Sequence, residues 1–163
     1  MPVPEAALEL RSRSPLDTQR VGRRLAAHLR GGDVVALWGE LGSGKTVLAR
    51  GLAAGLGLDP AVVSSPTFVI LHEHAGGRLP LFHLDLYRLD GGGLRTIGWE
   101  ECLEAGGVTA IEWPERAAGL LPEDRVDVRL EHVSEEERRL VLAGSGPRAR
   151  EIVEGMRTDA PGA

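Results

Sequence analysis

The chain has 163 residues, of which 42% are hydrophobic and 26% charged, and its formal net charge at pH 7 is −5. These values are typical of a soluble globular protein, and they exclude a global basic field that would attract nucleic acid or a membrane surface. No apolar run approaches the length of a membrane span, and the first residues lack the apolar core of a signal peptide, so we expect a cytoplasmic protein. The single cysteine excludes an internal disulfide and a cysteine-based zinc site.

The first third of the chain predicts a helix, a strand and a second helix. Ser14 and Pro15 have the pattern of a helix start, and apolar residues then recur every four positions as far as Leu29. The continuous apolar run 34–38 predicts a strand that is covered on both faces, as in a parallel sheet. A glycine-rich turn and a second apolar repeat, which ends at Gly57, predict the next helix.

The middle of the chain predicts a hairpin and another buried strand. Residues 62–74 and 79–86 are apolar and β-rich, and the short glycine turn between them predicts a β-hairpin. Residues 89–103 indicate a flexible loop that leads into a short helix. The apolar run 108–111 predicts a further buried strand.

The last part of the chain predicts a second hairpin and a final helix. Apolar and polar residues alternate in 125–133 and in 138–143, on either side of a polar turn. Residues 147–157 predict the last helix. We expect a single domain over residues 1–157 and a disordered tail over 158–163.

Residues 39–46 read GELGSGKT and fit the phosphate-loop pattern G-x-x-x-x-G-K-[ST]. Glycines let backbone N–H groups approach phosphate oxygens, and the helix that begins at Lys45 directs its positive dipole end at the same phosphates. Lys45 is the only lysine beside eighteen arginines, and a slim ammonium reaches between β- and γ-phosphates where a planar guanidinium is too wide. The alternative is a glycine-rich surface turn, and the flanking strand and helix favour the phosphate loop. The predicted nucleotide-binding residues are Glu40, Leu41, Gly42, Ser43, Gly44, Lys45 and Thr46, and the hydroxyl of Thr46 is predicted to bind Mg²⁺.

Two predicted strands end in a carboxylate, Asp85 and Glu112. In P-loop folds such acids hold Mg²⁺, directly or through water, or orient the attacking water. A salt bridge at the strand end is the alternative for each acid. Thr67 lies near the start of the first predicted hairpin, where GTPases carry the switch threonine that senses the γ-phosphate, and a polar turn is the alternative there.

The choice of base and of metal depends on weaker features. The guanine-reading motif N-K-x-D needs a second lysine, which the chain lacks, so ATP is favoured over GTP. His72, His74 and His83 share one face of the hairpin if its register allows. Alternating strand histidines are more often an ordinary strand face than a zinc site.

Five segments, in this order and at these spacings, resemble the TsaE family (formerly YjeE), small bacterial P-loop ATPases of the tRNA threonylcarbamoyladenosine pathway. The segments are GELGSGKT, SSPTF, FHLDLYRL, IGWEE and IEWPE. The resemblance covers about residues 18–121. It implies an α/β, three-layer P-loop NTPase fold with a mixed, mainly parallel central sheet flanked by helices, to which the predicted C-terminal β-hairpin is added.

The resemblance also implies a function. It implies that the chain binds ATP or ADP with Mg²⁺ and that ATP hydrolysis resets a complex of a TsaD-type transferase with its TsaB-type companion. That complex adds a threonylcarbamoyl group to the adenosine next to the anticodon of tRNA, which this chain is expected to contact only through the complex. By motif match, Thr46 and Glu112 are implied as Mg²⁺ ligands, Asp85 as the second essential acid at the metal or the water, and Thr67 as a switch-like threonine. A small-molecule kinase and a nucleotide-sensing module with little hydrolysis remain alternatives.

Overall fold

A computed structural model describes residues 7–64, 71–87, 98–117 and 119–159. These residues form one sheet and a set of helices. The strands are β1 (Leu8–Ser12), β2 (Val34–Trp38), β3 (Leu71–His74), β4 (Leu81–Asp85), β5 (Val108–Glu112), β6 (Val126–His132) and β7 (Arg138–Gly144). The helices are α1 (Pro15–Ala26), α2 (Lys45–Gly55), α3 (Trp99–Glu104) and α4 (Pro147–Thr158), with short 3₁₀ turns at Pro60–Val62 and Pro114–Ala117.

The sheet is mixed, with its parallel part in the middle. The strand order is β1-β7-β6-β2-β5-β4-β3. Strand β2 is parallel to both β6 and β5, and β5 is parallel to β4, whereas the pairs β1–β7, β7–β6 and β4–β3 are antiparallel. The expected mixed α/β fold with a C-terminal hairpin is therefore confirmed. The carboxyl ends of β2, β5 and β4 meet at one edge of the sheet, which is where P-loop proteins build their sites.

Helices cover both faces of the sheet and make the expected three layers. Helices α1, α2 and α4 enclose the larger core on one face, and α3 and the second 3₁₀ turn cover a smaller core on the other. Helices α1 and α2 can approach closely because Gly22 and Gly51 have no side chain. A Cβ atom at Gly22 would overlap the carbonyl oxygen of Leu48, and one at Gly51 would overlap that of Gln19. This contact fixes the helix that follows the phosphate loop.

Local sequence explains most of the helix boundaries. The hydroxyl of Ser14 accepts a hydrogen bond from the backbone N–H of Asp17 at 3.1 Å, and Pro15 occupies the first turn of α1, as predicted. Helix α2 begins at Lys45, directly after Gly44 in a left-handed conformation. None of the helices in the described ranges is long and apolar enough to span a membrane.

The structure corrects the predicted elements at four places, one of which is the end of α1 at Ala26, where the apolar repeat predicts helix as far as Leu29. Strand β1 was not predicted from the sequence, and it pairs with β7 at the sheet edge. Within the predicted strand 62–74, only Leu71–His74 is strand in the described residues, and Val62 ends a 3₁₀ turn. Helix α4 runs to Thr158, one residue into the predicted tail. Most of the predicted loop before α3, as well as Thr67 and residues 160–163, lie outside the described residues.

Candidate functional site

The phosphate loop, residues 39–46, connects β2 to α2 and needs its glycines for two different reasons. Gly42 and Gly44 have left-handed φ angles of 80° and 108°, which residues with a side chain rarely adopt. At Gly39 space is the limit, because a Cβ atom would lie 2.5 Å from the hydroxyl oxygen of Ser43 and 2.8 Å from the carbonyl oxygen of Leu130. The loop therefore has the tight curvature that a phosphate cradle requires.

Lys45 is folded into the site, with only 5% of its surface exposed. Its ammonium donates a hydrogen bond to the carbonyl of Gly39 at 2.6 Å and lies 3.3 Å from the centre of the Trp113 ring. Burial lowers the pKa of Lys45, and the nearby carboxylates, first that of Glu112, oppose this shift. The only lysine is thus a desolvated cation held by one neutral oxygen and one aromatic face.

Glu112, the last residue of β5, is held by two side chains. The hydroxyl of Thr46 donates to the two carboxylate oxygens at 3.1 and 3.2 Å. On the other side, Nε2 of His83 lies 2.5 Å from Oε2 of Glu112. The carboxylate is 3% exposed, so these contacts replace most of its hydration.

Asp85, the last residue of β4, lies beside Glu112 in the register of the two parallel strands. It is 8% exposed and accepts a hydrogen bond from the backbone N–H of Tyr87 at 3.0 Å. Burial raises the pKa of Asp85, the Tyr87 N–H lowers it, and the charge of Glu112 raises it further. Because two buried carboxylates lie side by side, a cation beside them would be stabilised.

The oxygen atoms of this site fit a magnesium ion. Mg²⁺ takes oxygen ligands, typically one or two carboxylates with waters and phosphate oxygens, and Thr46, Asp85 and Glu112 supply a hydroxyl and two carboxylates at one edge of the sheet. A cavity of about 220 Å³ opens in front of them. Its lining consists of Leu41, Gly42, Gly44, Lys45, Thr46, Val47, Asp85, Glu112 and Trp113.

Trp113 closes one side of this cavity in an unusual backbone conformation. Its φ angle is +58°, in the left-handed region that costs a residue with a side chain about 1–2 kcal/mol. The turn directs the indole over the ammonium of Lys45 and against the ring of Tyr87, whose centre lies 4.9 Å away. The structure therefore places Trp113 in the candidate site, beside Lys45.

Arg138, the first residue of β7, is a contact that the sequence did not predict. Its guanidinium donates to the carbonyl of Ser43 at 3.1 Å and to that of Gly42 at 3.3 Å. The same side chain donates to carbonyls of the β6–β7 turn, at residues 134, 135 and 137. Arg138 therefore connects the phosphate loop to the C-terminal hairpin. Ser43 and Arg138 are 95 positions apart, so no local sequence pattern predicts this hydrogen bond.

The three histidines of the first hairpin separate into two groups. His83 contacts Glu112, whereas the rings of His72 and His74 lie edge to face with their centres 5.9 Å apart. Within the described ranges, no group of three or more His, Cys, Asp or Glu side chains is arranged to hold a metal ion. Thr67, the predicted γ-phosphate sensor, lies outside the described residues.

Comparisons with known proteins agree on one family. The family model for the threonylcarbamoyl adenosine biosynthesis protein TsaE matches residues 12–140. The chain is 34% identical to the tRNA threonylcarbamoyladenosine biosynthesis protein TsaE of Bacillus subtilis, covering 91% of this chain and 93% of that protein, and 43% identical to that of Streptomyces coelicolor, covering 80% and 92%. The crystal structure of Bacillus subtilis YdiB matches with a TM-score of 0.79 and 30% identity, covering 93% of this chain and 94% of that one. The family match includes the phosphate loop and both acids.

Without nucleotide or divalent cations, we expect Asp85→Asn to raise the melting temperature at pH 7. The pKa of Asp85 is raised in the folded protein, so the wild type loses stability as the pH rises from the ordinary value of 3.8 through the folded value. Below 3.8 the carboxyl is protonated in both states and the advantage of the amide disappears. Thermal unfolding at pH 7 and at a pH below 3.8 checks this, and an equal gain at both would assign the effect to packing instead of ionisation.

Proposed function

Because the chain belongs to the TsaE family of threonylcarbamoyl adenosine biosynthesis proteins, we propose that it is a Mg²⁺-dependent ATPase that serves the threonylcarbamoyl modification of tRNA. Its hydrolysis of ATP resets a complex of a TsaD-type transferase and a TsaB-type companion between turnovers, and tRNA meets it only through that complex. The observation that carries the proposal is the convergence of Lys45, Thr46, Asp85 and Glu112 on one cavity.

The contacts of Lys45 explain why a nucleotide would bind at this site. Among the described residues, its ammonium directly contacts the carbonyl of Gly39 and the face of Trp113. Phosphate oxygens are stronger partners for an ammonium than either of these, because both groups of such a bond are charged. The backbone N–H groups of the phosphate loop and the N-terminus of α2 add further donors for the same phosphates. ATP and ADP are the proposed nucleotides, since the guanine-reading motif is absent from the sequence.

Glu112 and Asp85 are assigned different roles at the site. Thr46 and Glu112 already meet through hydrogen bonds, so their oxygens are close enough to hold one cation together. Bound Mg²⁺ would neutralise charge on the phosphates. Asp85 is free of side-chain hydrogen bonds among the described residues, and burial makes it a stronger base, so we assign it to orient water beside that cation. Thr67 is proposed from its place in the sequence to sense the γ-phosphate.

Lys45→Ala should weaken ATP and ADP binding about 100-fold, the effect expected when charge-assisted hydrogen bonds to phosphate are lost. Titration calorimetry measures this directly. Arg20→Ala removes one positive charge from an exposed position of α1 and is the matched control, with wild-type affinity expected. Wild-type affinity in Lys45→Ala, or a preference for GTP over ATP, would contradict the assignment.

Glu112→Gln and Asp85→Asn should each bind nucleotide and lose hydrolysis by at least about 100-fold, as expected for a positioned catalytic group. Release of free phosphate is measured with and without the TsaB- and TsaD-type partners, and tRNA modification should stall after the first turnover. Release that depends on the partners separates this role from a kinase and from a sensor that does not hydrolyse. A double variant with a lower melting temperature and full activity would make the acids structural.

Arg138→Ala should lower ATP affinity about 10-fold while the protein stays folded, because the carbonyls of Gly42 and Ser43 lose the donor that orders them. Arg139→Ala is the matched control. The neighbouring arginine pairs with Glu9 and Glu131 at the surface, where ion pairs contribute little. Equal affinities of the two variants would show that the guanidinium of Arg138 does not order the loop.

A further inference from the structure

We propose that His83 is a positioning residue that fixes the Glu112 carboxylate for the Mg²⁺–nucleotide site. The inference rests on the proposed function, since it concerns the orientation in which Glu112 meets the cation. It is carried by the burial of His83, by its contact with Glu112 and by the fact that His83 is not itself a proposed cation ligand.

His83 occupies a position that an apolar residue would fill at lower cost. It lies in the middle of β4 between β3 and β5, and none of its surface is exposed. Leu81, Phe82 and Leu84 around it on the same strand are buried and apolar. Burying an imidazole without a partner costs free energy, and the hydrogen bond to Glu112 compensates for this cost.

The hydrogen bonds of the ring indicate which nitrogen carries the hydrogen. An ionised carboxylate only accepts, so Nε2 of His83 donates to Oε2 of Glu112 across 2.5 Å. The other nitrogen, Nδ1, is buried without a hydrogen-bond partner in the described part of the chain. A hydrogen on Nδ1 would be an unsatisfied buried donor, so the contacts favour a hydrogen on Nε2.

The register of β4 and β5 explains how Nε2 of His83 reaches the carboxylate of Glu112. Successive side chains alternate along a strand, so His83 and Asp85 share the face of β4 that α2 covers. Asp85 pairs in register with Glu112, and His83 pairs with Ala110 one step earlier on that face. The small side chain of Ala110 leaves room for Glu112 to turn back toward the ring. His83 thus holds Glu112 from the side away from the phosphate loop.

The contact with His83 does not involve the other proposed cation ligand. The hydroxyl of Thr46 also holds Glu112, but Thr46 is itself proposed to bind the cation. Among the side-chain hydrogen bonds to Glu112 within the described ranges, the one from His83 comes from a residue that is not a proposed ligand. Neighbours that orient a metal ligand in this way typically account for a 10–100-fold effect on metal affinity or activity.

The test compares His83→Leu, which fills similar volume without an N–H, with His83→Gln, whose side-chain amide can donate from a similar position. Calorimetric titrations of ADP at increasing Mg²⁺ give the Mg²⁺ concentration at which half of the Mg²⁺-dependent gain in ADP affinity is reached. We expect that concentration to rise about 10–100-fold in His83→Leu, with Mg²⁺-free binding unchanged, and to return most of the way in His83→Gln. His74→Leu removes an imidazole from β3, opposite Leu81 and further from the acids, and should match the wild type.

A second measurement needs neither nucleotide nor metal. In the free protein labelled with ¹⁵N, the Nε2 hydrogen of His83 should give a slowly exchanging, strongly downfield proton signal that shifts in Glu112→Gln. If His83→Leu does not fold, this signal and the Mg²⁺ requirement of His83→Gln test the role of His83 instead.

Three outcomes would overturn the role of His83. They are an unchanged Mg²⁺ requirement in a folded His83→Leu, an equal loss of Mg²⁺-free binding, and a missing downfield signal. Failure of the wild type to bind ATP or ADP would instead overturn the proposed function, and with it this role, before any variant is compared.

Discussion

The site depends on the register of three parallel strands. Leu37 of β2 pairs with Glu112 of β5, and Glu112 pairs with Asp85 of β4, so the phosphate loop and both acids leave the sheet at the same level. A slip of one residue would turn a strand's side chains to the opposite face. The register is specified because both faces of these strands are buried against apolar side chains. Core packing is therefore what places the charged groups.

The same arrangement buries groups of both charges in the candidate site. Burial lowers the pKa of Lys45 and raises that of Asp85, so each group is in a place that disfavours its charged form. Among the described residues, their direct contacts are a neutral carbonyl, an aromatic face and one backbone N–H, and the opposite charges of Lys45 and the acids only oppose the effect of burial. A phosphate chain with a divalent cation would meet both demands at once. Ligand binding then also adds to the stability of the fold, because the unfolded chain offers no such site.

How much of this was predictable depends on the range of the interactions. The phosphate loop and the strand-end acids have local patterns, and the buried strands are continuous apolar runs, so these features were predicted. Strand β1 has only five residues, two of them charged, and its pairing with β7 supplies the order that its own sequence does not. The roles of the acids and of Thr67 remain predictions, since they concern ligands and a segment outside the described residues.

The contact of His83 with Glu112 was missed for a different reason. The alternation of the hairpin correctly suggested that His72, His74 and His83 share a face, and the register pairs His72 with His83. The alternation of residues in the hairpin carries no information about β5, the parallel strand that pairs with the other edge of β4. Because β5 arrives from a distant part of the chain, its register with β4 and the small size of Ala110 decide which way the imidazole donates.

The C-terminal hairpin completes the site from the opposite side of β2. When backbone N–H groups of a loop converge on one point, the carbonyls of the same peptides are directed elsewhere and need donors of their own. Arg138 supplies them at Gly42 and Ser43, and it is anchored in turn by carbonyls of the β6–β7 turn. The hairpin can do this because β6 pairs in parallel with β2 and ends beside the loop. A loop whose carbonyls are already satisfied keeps its shape before phosphate arrives, so less ordering remains to oppose binding.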